Sequence, residues 1–128
     1  MTTFPKKERL TGEIRINTLF EQGKSFISYP FRVGYMVVPK SDVPVKVLIG
    51  VPKKRFKHAV DRNRIKRLFR EVYRLNKDGF FKFVQEKNYS LHLVISYVSS
   101  DIITFELMQE SWLKTIEKLI RKLSQENE

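Results

Sequence analysis

Phe105, Met108, Trp112, Leu113, Ile116, Leu119, Ile120 and Leu123 recur at helical spacing over about 19 residues near the end of the chain. A helix with so broad an apolar stripe is stable only against another apolar surface. Thr104 precedes the stripe and has the side chain of an N-cap. Three stretches can supply the facing surface. In FRVGYMVV (31–38), Phe31, Val33, Tyr35 and Val37 alternate with Arg32, Gly34 and Met36, which is a strand period. PKSDVP (39–44) reads as a turn, and VKVLIGV (45–51) as a second strand antiparallel to the first. YSLHLVISYV (89–98) is apolar on both faces near its middle, as a strand buried on both sides would be. The expected fold is α+β: a two-layer sandwich with helices packed on a small sheet.

Other segments are shorter. The chain up to Leu10 is polar and reads as irregular. From Thr11 or Gly12 to Gln22, Ile16, Leu19 and Phe20 lie at i, i+3 and i+4, a short helix with Gly23 placed as its left-handed cap. A polar break around Asn76 to Gly79 precedes FFKFVQEK (80–87), a second short helical segment. At 128 residues, one domain spanning 1–128 is expected. The chain has no cysteine, so disulfides and thiolate metal sites are excluded. MTTFPKKERLTGEI lacks an apolar core of signal-peptide length, and no run approaches the roughly 18 apolar residues of a spanning helix. The expectation is a cytoplasmic protein without a membrane partner.

Charge is concentrated in one place. Residues 53–74, KKRFKHAVDRNRIKRLFREVYR, hold ten Lys or Arg against Asp61 and Glu71, or +8 of the chain's total +11. So large an excess points to a polyanionic partner. On a wheel of 100° per residue from Arg62, Ile65, Leu68, Phe69 and Val72 span about 240° to 340°. Arg62, Lys66, Arg70, Arg74 and Arg67 span about 0° to 140°, a continuous cationic strip about 18 Å long. A merely solvated face would mix charge signs more evenly. Asn63, between two arginines, can both donate and accept hydrogen bonds. Guanidinium groups bind phosphate through a planar fork and stack on bases. The residues alone therefore indicate a nucleic-acid-binding helix, with RNA favoured.

This segment also closely resembles the signature of the bacterial ribonuclease P protein subunit. In that family a lysine-rich strand end and an alanine-containing turn lead into RNRxKR and an arginine-studded helix. Here the counterparts are PKK at 52–54, Ala59 and RNRIKR at 62–67. The surrounding order of elements is similar along essentially the whole chain. The resemblance implies a mixed sheet of about four strands in the order α-β-β-β-α-β-α. It also implies a left-handed βαβ crossover, an arrangement shared with the second domain of a small-subunit ribosomal protein. The implied activity is the holoenzyme's: removal of the 5′ leader from precursor tRNA by a catalytic RNA, with Mg²⁺ held mainly by that RNA. The implied partners are the catalytic RNA and precursor tRNA, with no protein partner required. Arg62, Asn63, Arg64, Lys66, Arg67 and Arg70 would face the catalytic RNA, extended by Lys53, Lys54 and Arg55. A cleft between the first helix and the sheet would take the single-stranded leader, with Ile16, Phe20 and Arg32 as its residues. Phe20 matches an aromatic position of the family. Ile16 stands where many members carry Phe, which reduces the stacking platform. For Phe20, core packing and leader contact are equally open. Tyr97 stands where some relatives end the strand with a basic residue.

A protein-borne nuclease site is not indicated. Acidic residues in SDV, VDR, KDG and SSD are isolated, without the spacing of metal ligands. His58 lies within the basic run, where it can reach phosphate, and His92 reads as structural. The rival readings are a ribosomal or other RNA-scaffold protein and a DNA binder that inserts the basic helix in the major groove.

Overall fold

The computed structural model describes residues 6–10, 19 and 23–126. Four strands form one mixed sheet: β1 (Lys24–Ser28), β2 (Phe31–Pro39), β3 (Val45–Gly50) and β4 (Tyr89–Tyr97). Among the described residues, three helices accompany them: α1 (Ala59–Asn76), α2 (Asp78–Gln85) and α3 (Phe105–Glu126). The spatial strand order is β1-β2-β4-β3. β2 is antiparallel to both neighbours, and β3 is parallel to β4. Returning from β3 to a parallel β4 requires a long crossover, which α1 and α2 provide. This is the expected α+β architecture.

One expected strand contact is absent. β2 and β3 run antiparallel but do not pair, because β4 lies between them. The reason is in the strands' own pattern. β4 is buried at Leu91, Leu93, Ile95 and Tyr97 on one face and at Ser90 and Val94 on the other, so it needs a central position. β3 alternates buried Val45, Val47 and Ile49 with half-buried Lys46, Leu48 and Gly50, which suits an edge. The 40–44 connection spans the gap and binds the chain that enters it. Lys40 Nζ donates to the carbonyls of Gln85 (2.8 Å) and Lys87 (2.7 Å), Ser41 N–H to Ser90 Oγ (2.9 Å), and Leu91 N–H to the Pro44 carbonyl (2.9 Å).

The core lies between one sheet face and the helices. Phe31, Val33, Tyr35, Val47, Leu93 and Ile95 meet Ile65, Phe69, Val72 and Tyr73 of α1 and Met108, Trp112, Leu119 and Leu123 of α3. Trp112 meets Phe69 edge-on at 5.0 Å between centroids and Phe31 at 5.8 Å. Thr104 caps α3 as expected, its Oγ1 accepting the Leu107 N–H at 3.2 Å. α2 starts two residues earlier than expected, with Phe80 and Val84 as its buried positions.

The N-terminal expectations need revision. Residues up to Leu10 are not wholly irregular: Lys6–Glu8 form a 3-10 turn, and Arg9 bridges Val47 in parallel. Leu10 N–H donates to the Val47 carbonyl at 2.9 Å, so this strap covers the β3 edge. Glu8 and Lys77 form a buried ion pair at 2.6 Å, tying the strap to the α1–α2 junction. Of the expected helix before Gly23, Leu19 is described, and Gly23 N–H donates to its carbonyl at 2.8 Å. Gly23 does not adopt the left-handed conformation expected of a cap. It is needed for space: a Cβ would stand 2.4 Å from the Leu19 carbonyl oxygen and 2.8 Å from that of Tyr35.

Candidate nucleic-acid interface

The basic segment begins as a turn. Pro52 ends β3's extension, and its carbonyl accepts the N–H groups of Arg55 (3.2 Å) and Phe56 (3.3 Å). Lys53, Lys54 and Arg55 are exposed on this turn. Arg55 Nη1 reaches Ser100 Oγ at 3.4 Å, while buried Phe56 anchors the turn against Tyr97. His58 is the N-cap residue of α1, with an extended backbone and no side-chain cap bond.

Along α1 the inward side is rotated from the expected one. Ile65, Phe69 and Val72 are buried as anticipated, Leu68 only partly, and Tyr73 completely. Tyr73 falls near 20° on the wheel, inside the arc assigned to the cationic strip. The strip is therefore divided. Arg62, between Phe69 and Tyr73 on the wheel, folds back on the turn, and its Nη1 donates to the carbonyls of Phe56 (2.8 Å) and Lys57 (2.9 Å). Lys66 and Arg70 are half-buried flanks, and Asn63, Arg64 and Arg67 form the exposed side. Arg74 pairs with Glu71.

Arg70 reaches a different groove, of about 160 Å³, shared with Arg9, Leu10 and the β3 residues Val47, Leu48 and Ile49. Burial, and secondarily the nearby Arg9 charge, lower the pKa of its guanidinium below the ordinary value. Arg9 was not among the sequence candidates, because the strap that brings it to α1 follows from tertiary pairing. An anion placed between the two guanidinium groups would relieve their repulsion.

The opposite face of the sheet carries a cleft of about 180 Å³ lined by Leu19, Gly23, Lys24, Ser25, Arg32, Gly34, Val94 and Ser96. Arg32 is thus in the cleft, on the face expected for it. Ile16 and Phe20 lie outside the described residues. Met36, from the same alternation, packs with Leu10, Leu19 and Val94. Gly34 keeps the floor low, since a Cβ there would stand 3.0 Å from Leu19 Cδ2. Lys24, Ser25 and Ser96 add polar groups that no sequence motif marked. His92 lies in β4, registered with Met36 and Lys46 on its two neighbours. Tyr97 is buried and donates to the Asp101 carbonyl, so this strand end belongs to the core.

Among the described residues no three His, Cys, Asp or Glu side chains converge as metal ligands would, and no helix is long and apolar enough to cross a membrane. A basic α+β protein with a cationic helix on one side and a polar cleft on the other has the makings of an RNA-binding subunit. The model of the Ribonuclease P family matches residues 4–123. The chain belongs to the ribonuclease P protein family.

The Porphyromonas gingivalis ribonuclease P protein component is 39% identical over 112 residues, covering 87% of this chain and 82% of that protein. The Petrotoga mobilis component is 35% identical over 127 residues, covering 94% and 95%. In fold, the chain resembles the RNase P proteins of Thermotoga maritima and Staphylococcus aureus. The first has a TM-score of 0.68 at 23% identity, covering 87% of this chain and 96% of that one. The second has a TM-score of 0.65 at 21% identity, covering 88% and 94%.

Proposed function

We propose that this chain, as the protein subunit of ribonuclease P, docks on the catalytic RNA through Lys53, Lys54, Arg55, Asn63, Arg64, Lys66, Arg67 and Arg70. The observation that carries the docking face is the exposed Asn63–Arg64–Arg67 side of α1, continued by the exposed turn at 53–55. Arg62 supports that face by holding the turn against the helix. The cleft on the other side of the sheet takes the single-stranded 5′ leader of precursor tRNA. Arg32 and Lys24 supply charge for its phosphates, and Ser25 and Ser96 supply hydroxyls within the same cleft. Ile16 and Phe20 complete this assignment from the sequence.

The division of labour follows from the chemistry available. Mg²⁺, held mainly by the RNA, activates the attacking water and stabilises the leaving oxygen. This chain offsets repulsion between the two RNAs and favours precursor over mature tRNA by gripping the leader. It works in the cytoplasm and requires no protein partner. Reconstitution with a ribonuclease P RNA at low Mg²⁺, following 5′ processing of a precursor tRNA, tests the assignment. The expected result is strong stimulation over RNA alone, and no stimulation would refute it. Replacing Arg64 and Arg67 together by Ala should weaken RNA binding and lower its salt slope by about two, roughly one per lost phosphate contact.

A further inference from the structure

A third concavity, of about 340 Å³, lies between α1 and the start of α3 and is lined by Arg64, Arg67, Leu68, Glu71 and Phe105. Its size falls at the lower end of small-ligand sites, roughly 300–1,000 Å³. Leu68 and Phe105 are only partly covered and pack against the core from its rim, which gives the groove an apolar floor. Arg64 and Arg67 are exposed at its walls. Among the described residues neither has an ion pair or a side-chain hydrogen bond.

The solitude of Arg67 needs a cause, because Arg67 and Glu71 stand at the i, i+4 spacing that favours pairing. Glu71 is held elsewhere. Arg74 grips both its oxygens, Nε to Oε2 at 3.2 Å and Nη2 to Oε1 at 2.5 Å. The groove therefore presents an aromatic ring, an aliphatic side chain and two uncommitted guanidinium groups, with its one carboxylate already neutralised.

We propose that this groove holds one unpaired nucleotide of the partner RNA, its base stacked on Phe105 and Leu68 and its flanking phosphates on Arg64 and Arg67. The inference rests on the RNA-docking role given above and assigns that face a base-reading pocket. A paired base keeps both faces within its helix, whereas an unpaired one offers a face to an aromatic ring. Charge complementarity selects the strand, and the ring selects an unpaired nucleotide within it.

Two RNA hairpins separate this from simple phosphate binding: one with a single unpaired purine in its stem, the other fully paired. The full-length protein should bind the first more tightly. Phe105→Leu, which keeps apolar packing without the ring, should lose roughly ten-fold on the bulged hairpin and little on the paired one. Its salt slope should match that of the unaltered protein, and Phe105→Tyr should retain affinity. Equal affinity of the unaltered protein for the two hairpins, or equal loss on both by Phe105→Leu, would overturn the proposal. A second readout does not depend on how the variant folds. With 2-aminopurine at the unpaired position, emission should be quenched on saturation with the unaltered protein, and unquenched emission would also overturn the pocket. Failure to bind ribonuclease P RNA itself would instead remove the docking role.

Discussion

The two faces of the sheet share β2 and β4 but differ in what their side chains build. On one, Phe31, Phe69, Tyr73 and Trp112 interlock as buried rings, with Val33, Leu93 and Ile95 beneath them. On the other, Leu10, Leu19 and Val94 form a small apolar cluster beside an open polar cleft. The contrast separates tasks: the ring-filled face holds the fold together, and the other carries the polar side chains of the cleft. Substitutions on the first should change stability alone, and those in the cleft should change leader selection alone.

The hardest blow to that separation is Trp112→Ala, which empties the centre of the ring cluster. It should cost about 3–5 kcal/mol in urea unfolding, with leader discrimination by the folded fraction unchanged. A selective loss of leader discrimination would show that the faces are coupled. Glu8→Gln tests the strap that covers the sheet edge. It removes the counter-charge of a Lys77 ammonium that is only 7% exposed and should cost about 3 kcal/mol in thermal unfolding. An unchanged melting temperature would mean the pair contributes nothing net.

Alkaline titration gives a smaller, graded effect. Burial, and secondarily the Glu8 charge, raise the pKa of the Tyr73 phenol well above its ordinary value. Unfolded tyrosine loses its proton near pH 10. The folded state keeps that proton, so this contribution is complete below about pH 10 and declines as pH rises, by about 1.4 kcal/mol per pH unit. Tyr73→Phe should flatten the decline in denaturation midpoints between about pH 9 and 11, and an unaltered slope would contradict it. The smallest stability effect belongs to the cleft. Arg32→Ala should shift unfolding by at most about 0.5 kcal/mol, yet weaken binding of precursor relative to mature tRNA. Equal weakening of both tRNAs would place Arg32 outside leader recognition.

What the sequence disclosed follows from how local each feature is. α3 was legible to its cap because an amphipathic stripe and Thr104 are properties of neighbouring residues. β2 and β4 were legible because their alternation, or its absence, reports burial directly. β1 escaped because Phe26 and Ile27 are adjacent apolar residues with no alternation, and Ile27 is 66% exposed. The β2–β3 pairing was misread because a six-residue connection resembles a hairpin until β4 is placed between its arms. In the basic helix, the identity of the cations was plain and their direction was not. One buried tyrosine, drawn inward by Phe69 and Trp112, turns the exposed side toward Arg64 and Arg67. The groove under Phe105 joins residues nearly forty positions apart and leaves no mark in either segment alone.

Arg62 opens the RNR motif, yet one of its terminal nitrogens already serves two backbone carbonyls of the preceding turn. A guanidinium can do this and still keep donors to spare, whereas an ammonium gives no such planar fork. Replacing Arg62 would therefore unlatch the loop that displays Lys53–Arg55, and the resulting weak RNA binding would look like the loss of several contacts at once. The first letter of the motif thus also serves the fold, as a pin between the helix and the turn that precedes it.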